Sequence, residues 1–195
     1  NLLITAMWEE TGDIVTGLDW VGALLGAHGR VLPVATVPLQ VVADVARLHP
    51  ADPDRVERVE GQVQVATTPG RVVGLHVEPA GARACPEAVE AIENAEALVL
   101  GPGSWFTSVL APLLVPGIAD AVVRSPGRVV VVLNLEEQPG ETSGFSPQRH
   151  LEVLAAQVPG LHVDTVLADP SRVSDIEALA AAAATLGARL VLAPV

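Results

Sequence analysis

Ala97-Leu98-Val99-Leu100-Gly101-Pro102-Gly103-Ser104-Trp105-Phe106-Thr107-Ser108 is the stretch on which the fold turns. Residues 97–101 are consecutively apolar, without polar alternation, as in a strand buried on both faces of a parallel sheet. Glycine, proline and serine break the strand, and residues 107–114 then read as helix. The same rhythm repeats downstream. Residues 118–123 read as helix and 128–135 as the strand Arg128-Val129-Val130-Val131-Val132-Leu133-Asn134-Leu135. A polar loop covers 136–147, and a helix follows over 147–157, with Ser146 as N-cap and Pro147 in its first turn. Residues 162–167 read as strand, 174–186 as an alanine-rich helix and 189–192 as a last strand. This alternation predicts an α/β fold: parallel strands side by side, right-handed crossovers, and helices on both faces.

Upstream the pattern differs. Residues 2–26 carry apolar side chains at helical spacing, with Gly12-Asp13 as an interruption and Asp13 as a candidate N-cap. Residues 30–48 read as two short strands around Pro38, and 49–58 as a polar loop. Two valine-rich runs, 59–66 and 71–78, flank Thr67-Thr68-Pro69-Gly70 and predict a hairpin or a small β excursion off the main sheet. Residues 86–94 read as a short amphipathic helix.

Composition narrows the chemistry. Half of the 195 residues are hydrophobic and only 3% are aromatic, so Val, Leu, Ala and Ile must build the core. The formal charge is −12, and all eleven basic residues are arginines. Without lysine there is no Schiff-base nucleophile and no P-loop lysine within these residues. The acidic balance argues against nucleic-acid binding. An anionic ligand would instead be held by backbone N–H groups, a helix N-terminus or a cation. Cys85 is the sole cysteine, so no intrachain disulfide forms; a reducing, cytoplasmic setting and an inert thiol are expected. Asn1-Leu2-Leu3-Ile4 has no signal-peptide character. No apolar run reaches the length of a membrane span, and the nearest, 107–123, contains Pro112, Pro116 and Asp120. The apolar excess, a mean hydropathy of +0.44, predicts a homodimer.

Ligands of open parallel sheets bind beyond the carboxyl ends of the strands. Two loops leave such ends. In the first, Gly101 and Gly103 allow close backbone approach, while Ser104, Thr107 and Ser108 supply hydroxyls before a helix N-terminus. This reads as a phosphate cradle that needs no lysine; the alternative is a tight turn capped by Ser104. In the second, Asn134 ends its strand, where an amide can read a base or sugar edge, and Gln138, Glu141 and Thr142 add donors and acceptors. The alternative there is a solvated acidic loop. Asn1 is a further candidate contact, or simply a chain end. Arg71 suits a phosphate or a surface ion pair, Trp105 and Phe106 a ring or the core, and His150 is read as structural. The histidines show no metal-ligand spacing, Glu9, Glu10 and Asp13 read as a solvated face, and no catalytic residue or metal site is assigned.

Four separated blocks then resemble one family. They are Asn1-Leu2-Leu3-Ile4, Thr67-Thr68-Pro69-Gly70-Arg71-Val72, residues 100–108, and Asn134-Leu135 with Gln138-Pro139-Gly140-Glu141-Thr142, followed by Gly144-Phe145-Ser146 and His150. Together they resemble the gluconeogenesis-factor (YvcK-like) branch of the YvcK/CofD family, over residues 1 to about 168. The resemblance implies a Rossmann-like three-layer sandwich and a single CofD-like domain over 1–195, with the family's N-terminal strand and Gly-rich turn expected before Asn1. It implies a bacterial regulator that binds UDP-N-acetylglucosamine or a related nucleotide, requires no cofactor, and affects central carbon metabolism, cell shape and cell-wall synthesis. The sister branch implies the alternative: a 2-phospho-L-lactate transferase that uses a divalent cation and acts on a deazaflavin precursor of F420. The run Gly103-Ser104-Trp105-Phe106-Thr107 resembles the regulator branch.

Overall fold

The computed structural model of the chain describes residues 2–136, 138, 142 and 145–194. Two helices open it, α1 (Leu2–Thr11) and α2 (Ile14–Leu24). Asp13 caps α2 as expected, its carboxylate accepting from the Thr16 N–H at 2.8 Å. Three strands follow, β1 (Gln40–Ala46), β2 (Val56–Glu60) and β3 (Arg71–Glu78), with a short helix α3 (Gln62–Ala66) between the last two. Then come α4 (Pro86–Glu93), β4 (Ala97–Leu100), a π-helical turn (Trp105–Leu110) running into α5 (Ala111–Leu113), and α6 (Ile118–Arg124). The chain continues through β5 (Arg128–Val132), α7 (Pro147–Gln157), β6 (Thr165–Ala168), a 3-10 turn (Pro170–Arg172), α8 (Ile176–Thr185) and β7 (Arg189–Leu192).

The strands β4, β5, β6 and β7 lie in that order, each parallel to its neighbour, in one helix-flanked sheet. This is the expected Rossmann-like α/β architecture. One detail differs. β4 ends the sheet, and exposed and half-buried residues alternate along it, so Val99 is 61% exposed and not buried on both faces. β5 has the interior position, with Val129 and Val131 buried. β6 starts later than its apolar run because Asp164 binds Val129 in both directions, the N–H donating to its carbonyl and the carboxylate accepting from its N–H.

The excursion is a separate antiparallel sheet of order β2-β1-β3. The two valine-rich runs therefore do not form a hairpin; both pair with β1. The 30–48 segment supplies one strand, not two, and the loop expected over 49–58 gives way to β2 at Val56. Gly61, at φ +100°, ends β2, and the valines after it turn into α3 instead of extending the strand. β3 carries a bulge: Gly74 faces Asp44, the next β1 residue Val45 faces Val72, and Val73 is the extra residue. The parity reset puts Val72, Leu75 and Val77 on one buried face. That face joins Trp105, Phe106, Leu110 and the valines of β5 in one continuous apolar core.

Among the described residues no single helix is long and apolar enough to cross a membrane. The apolar segments 105–113 and 118–124 meet at 78°, and Trp105, Leu110, Leu113, Ile118 and Val122 within them are buried in the core.

Candidate functional site

The loop after β4 is built from its glycines outward. Gly101 has φ +84°, and a Cβ there would lie 2.6 Å from the Val132 carbonyl oxygen of β5. Only glycine lets β4 turn this close to its neighbour. Gly103 needs no such freedom. A Cβ on it would meet only Ser108 Cβ, at 3.5 Å. Ser104 is the N-cap of the π-helical turn: its Oγ accepts from the Thr107 N–H at 3.3 Å and shares a hydrogen bond with Thr107 Oγ1. The Ser104 carbonyl accepts from both Ser108 and Val109, and the second of these bonds widens the turn to π geometry.

The loop after β5 grips this first loop. Asn134 Oδ1 accepts from the Gly103 N–H at 3.0 Å, and Asn134 Nδ2 donates to the Gly103 carbonyl at 2.7 Å. Gln138 Oε1 accepts from the Trp105 N–H at 2.9 Å. Gln138 is held in turn by Thr142, which is fully buried: the Gln138 N–H donates to Thr142 Oγ1 at 2.9 Å, and the Thr142 N–H donates to the Gln138 carbonyl at 3.0 Å. The carboxyl ends of β4 and β5 thus carry one interlocked polar structure, with part-buried hydrogen bonds and no arginine in it.

The structure brings Gly101, Gly103, Ser104, Thr107, Ser108, Asn134, Gln138 and Thr142 together there. Thr107 is buried and Ser108 exposed. Asn1 and Glu141 lie outside the described residues. Asn134 and Gln138 direct their amides onto the neighbouring loop.

Beside Asn134 a crevice of about 290 Å³ opens beyond the carboxyl ends of the sheet. Leu133, Asn134, Glu136, Ser146, His150, Arg172 and Ser174 line it. Arg172 sits on the turn after β6, 3.3 Å from Glu136. Both of these side chains are at least half exposed, so their pairing is weak and breakable by an incoming anion. His150, read as structural, is buried under Ser146, its Nδ1 donating to that carbonyl at 2.9 Å, and its ring stands edge-on to Trp105 and Phe145. Ser146 holds the N-cap position of α7 without a side-chain capping bond and is one of the residues lining the crevice. Sequence reasoning missed Arg172 and Ser174. Their one signal was their position, just past the third strand of an alternating α/β chain.

A parallel sheet with an interlocked Gly/Ser/Thr loop and a crevice past its carboxyl ends defines a Rossmann-like α/β protein. A family model described as 2-phospho-L-lactate transferase CofD matches residues 1–187, and the chain belongs to that family. Within it the chain is similar to gluconeogenesis factors. A homologue of this kind from Mycobacterium tuberculosis is 47% identical over 173 residues, which are 89% of this chain and 50% of the relative. The gluconeogenesis factor of Bacillus subtilis is 29% identical over 175 residues, 90% of this chain and 53% of that protein. A crystal structure of a UPF0052-family protein from Bacillus halodurans superposes with a TM-score of 0.83 at 28% identity, covering 99% of this chain and 64% of the other. The chain spans about half the length of the curated relatives it matches.

Proposed function

We propose that the chain is the ligand-binding part of a regulator of the gluconeogenesis-factor type, and that its ligand is a nucleotide-sugar such as UDP-N-acetylglucosamine. The observation that carries this reading is the pairing of a rigid Gly/Ser/Thr loop on β4 with the arginine-bearing crevice beyond β5 and β6. In this reading Gly101, Gly103, Ser104, Thr107 and Ser108 form the phosphate-facing rim. Asn134, Gln138 and Thr142 fix that rim, and Arg172 and Ser174 meet the rest of the nucleotide. Asn1 and Glu141 complete the proposed contact set. The crevice is at the small end for a ligand site, so it takes part of the ligand, not all of it. The proposed role is in central carbon metabolism, cell shape and cell-wall synthesis, in the cytoplasm, as a homodimer visible by light scattering.

Calorimetric titration with UDP-N-acetylglucosamine tests this reading. Saturable binding that persists in EDTA and weakens about tenfold or more in Arg172→Ala supports it. The family match favours a second reading, a CofD-type transfer of a phospholactyl group to a deazaflavin acceptor. Binding that is lost in EDTA would favour the second reading.

A further inference from the structure

A second cavity, of about 460 Å³, lies between β3 of the antiparallel sheet and α7 of the main layer. It is larger than the nucleotide crevice and within the ordinary range for small-molecule sites. Its α7 wall is a single helical face: Arg149, Glu152, Val153, Ala156 and Gln157 follow at offsets of three, four, seven and eight. Phe106, Leu110 and Phe145 supply apolar and aromatic surface, with the two phenylalanine rings edge to face at 5.8 Å. Arg71 enters from the start of β3, and among the described residues it has neither an ion pair nor a side-chain hydrogen bond. Arg149 pairs with Glu152 at 2.8 Å, and its guanidinium stands 6.0 Å from the Phe145 ring centroid. Among the described residues the ionisable lining is therefore two arginines against one glutamate, a local positive excess in a chain of net charge −12.

We infer that this cavity is a second binding site, for a small amphipathic anion. The acidic group would meet Arg71 and Arg149, and an aromatic or alkyl body would lie on Phe106, Leu110 and Val153. An uncompensated guanidinium on the rim of an apolar hollow gains most from a ligand that supplies both parts. A neutral apolar ligand would leave Arg71 unpaired, and a bare anion such as phosphate would leave the apolar floor wet. The site is distinct from the crevice beyond β5 and does not depend on the nucleotide reading.

The probe is 8-anilinonaphthalene-1-sulfonate, followed by fluorescence titration on the folded chain, with uncharged N-phenyl-1-naphthylamine as the comparison. One saturable sulfonate site is expected. Arg71→Gln should weaken it about tenfold, and Glu152→Gln, which removes the opposing charge, should tighten it about threefold. Both side chains are exposed, so neither change threatens folding. Thermal melts of both variants check this directly. Affinity unmoved by both variants, or equal affinity for the uncharged probe, would overturn the inference. Because the two variants are expected to act in opposite directions, general loosening of the structure cannot imitate the result.

Discussion

The side-chain amide of Asn134 and the peptide of Gly103 are joined in both directions, 3.0 Å from N–H to Oδ1 and 2.7 Å from Nδ2 to the carbonyl. A side chain at the end of one strand thus stands in for a missing rung between the two loops. Asn134→Ala should remove both part-buried bonds and lower stability by about 2 kcal/mol, read as a fall in melting temperature. Asn134→Asp keeps the acceptor but sets a carboxylate against the Gly103 carbonyl, so it should rescue little. An unchanged melt in Asn134→Ala would show that the loops hold without this clasp.

The two loop glycines should behave differently. Gly101→Ala must place a Cβ at positive φ and 2.6 Å from the Val132 carbonyl oxygen, so the cost should be at least about 2 kcal/mol. Gly103→Ala meets only an ordinary contact with Ser108 and should change stability by less than about 1 kcal/mol. Paired denaturant titrations check the contrast. Any loss of ligand affinity in Gly103→Ala at unchanged stability would mark direct contact at that peptide.

Acid should loosen the N-terminal helices. The Thr16 N–H holds the Asp13 carboxyl below its ordinary 3.8, and the Arg30 guanidinium does the same for Asp19. Folded-state values lowered in this way stabilise the fold above the unfolded pKa, and that contribution disappears as the pH falls through the folded one. Helical circular dichroism should therefore decline on acidification below about pH 4. In Asp13→Asn, which still caps, the decline should be shallower.

Cys85 should be silent in the native state. The thiol is fully buried and donates to the Glu87 carboxylate at 3.1 Å; burial first, then that bond, pushes its pKa above the ordinary 9.0. Since the thiolate is the reactive form, modification by dithionitrobenzoate at neutral pH should be slow and should accelerate sharply on unfolding. Rapid stoichiometric reaction in the folded chain would contradict the burial seen here.

The parallel half was legible because local pattern decides it: runs such as Arg128–Val132 admit one reading once helices alternate with them. The antiparallel half was less so. Residues 62–66 share the valine content of a strand, and only the backbone at Gly61 turns them into helix. The site was visible as residue types and invisible as pairings. Nothing in the chain announces that Asn134 reaches back 31 residues to Gly103, or Gln138 33 residues to Trp105. Arg172 reached the crevice through the sheet order, which brings the turn after β6 beside the end of β5.

The bulge at Val73 has a consequence for how this chain tolerates change. Along β3 it acts as a counter. Leu75 and Val77 face inward at even spacing, and the one extra residue between Arg71 and Leu75 returns Val72 to the interior while turning Arg71 outward, onto the rim of the second cavity. Were the same residues to run in unbroken alternation, the parity upstream of Gly74 would invert, sending a guanidinium toward Trp105 and Phe106 and Val72 into water. The outward guanidinium on the cavity rim is therefore set by where the strand bulges as much as by residue type. Deletion of Val73 would straighten the strand yet keep Val72 and Leu75 inward and Arg71 outward, so β3 should tolerate the loss of that one residue better than the loss of one on either side of the bulged pair.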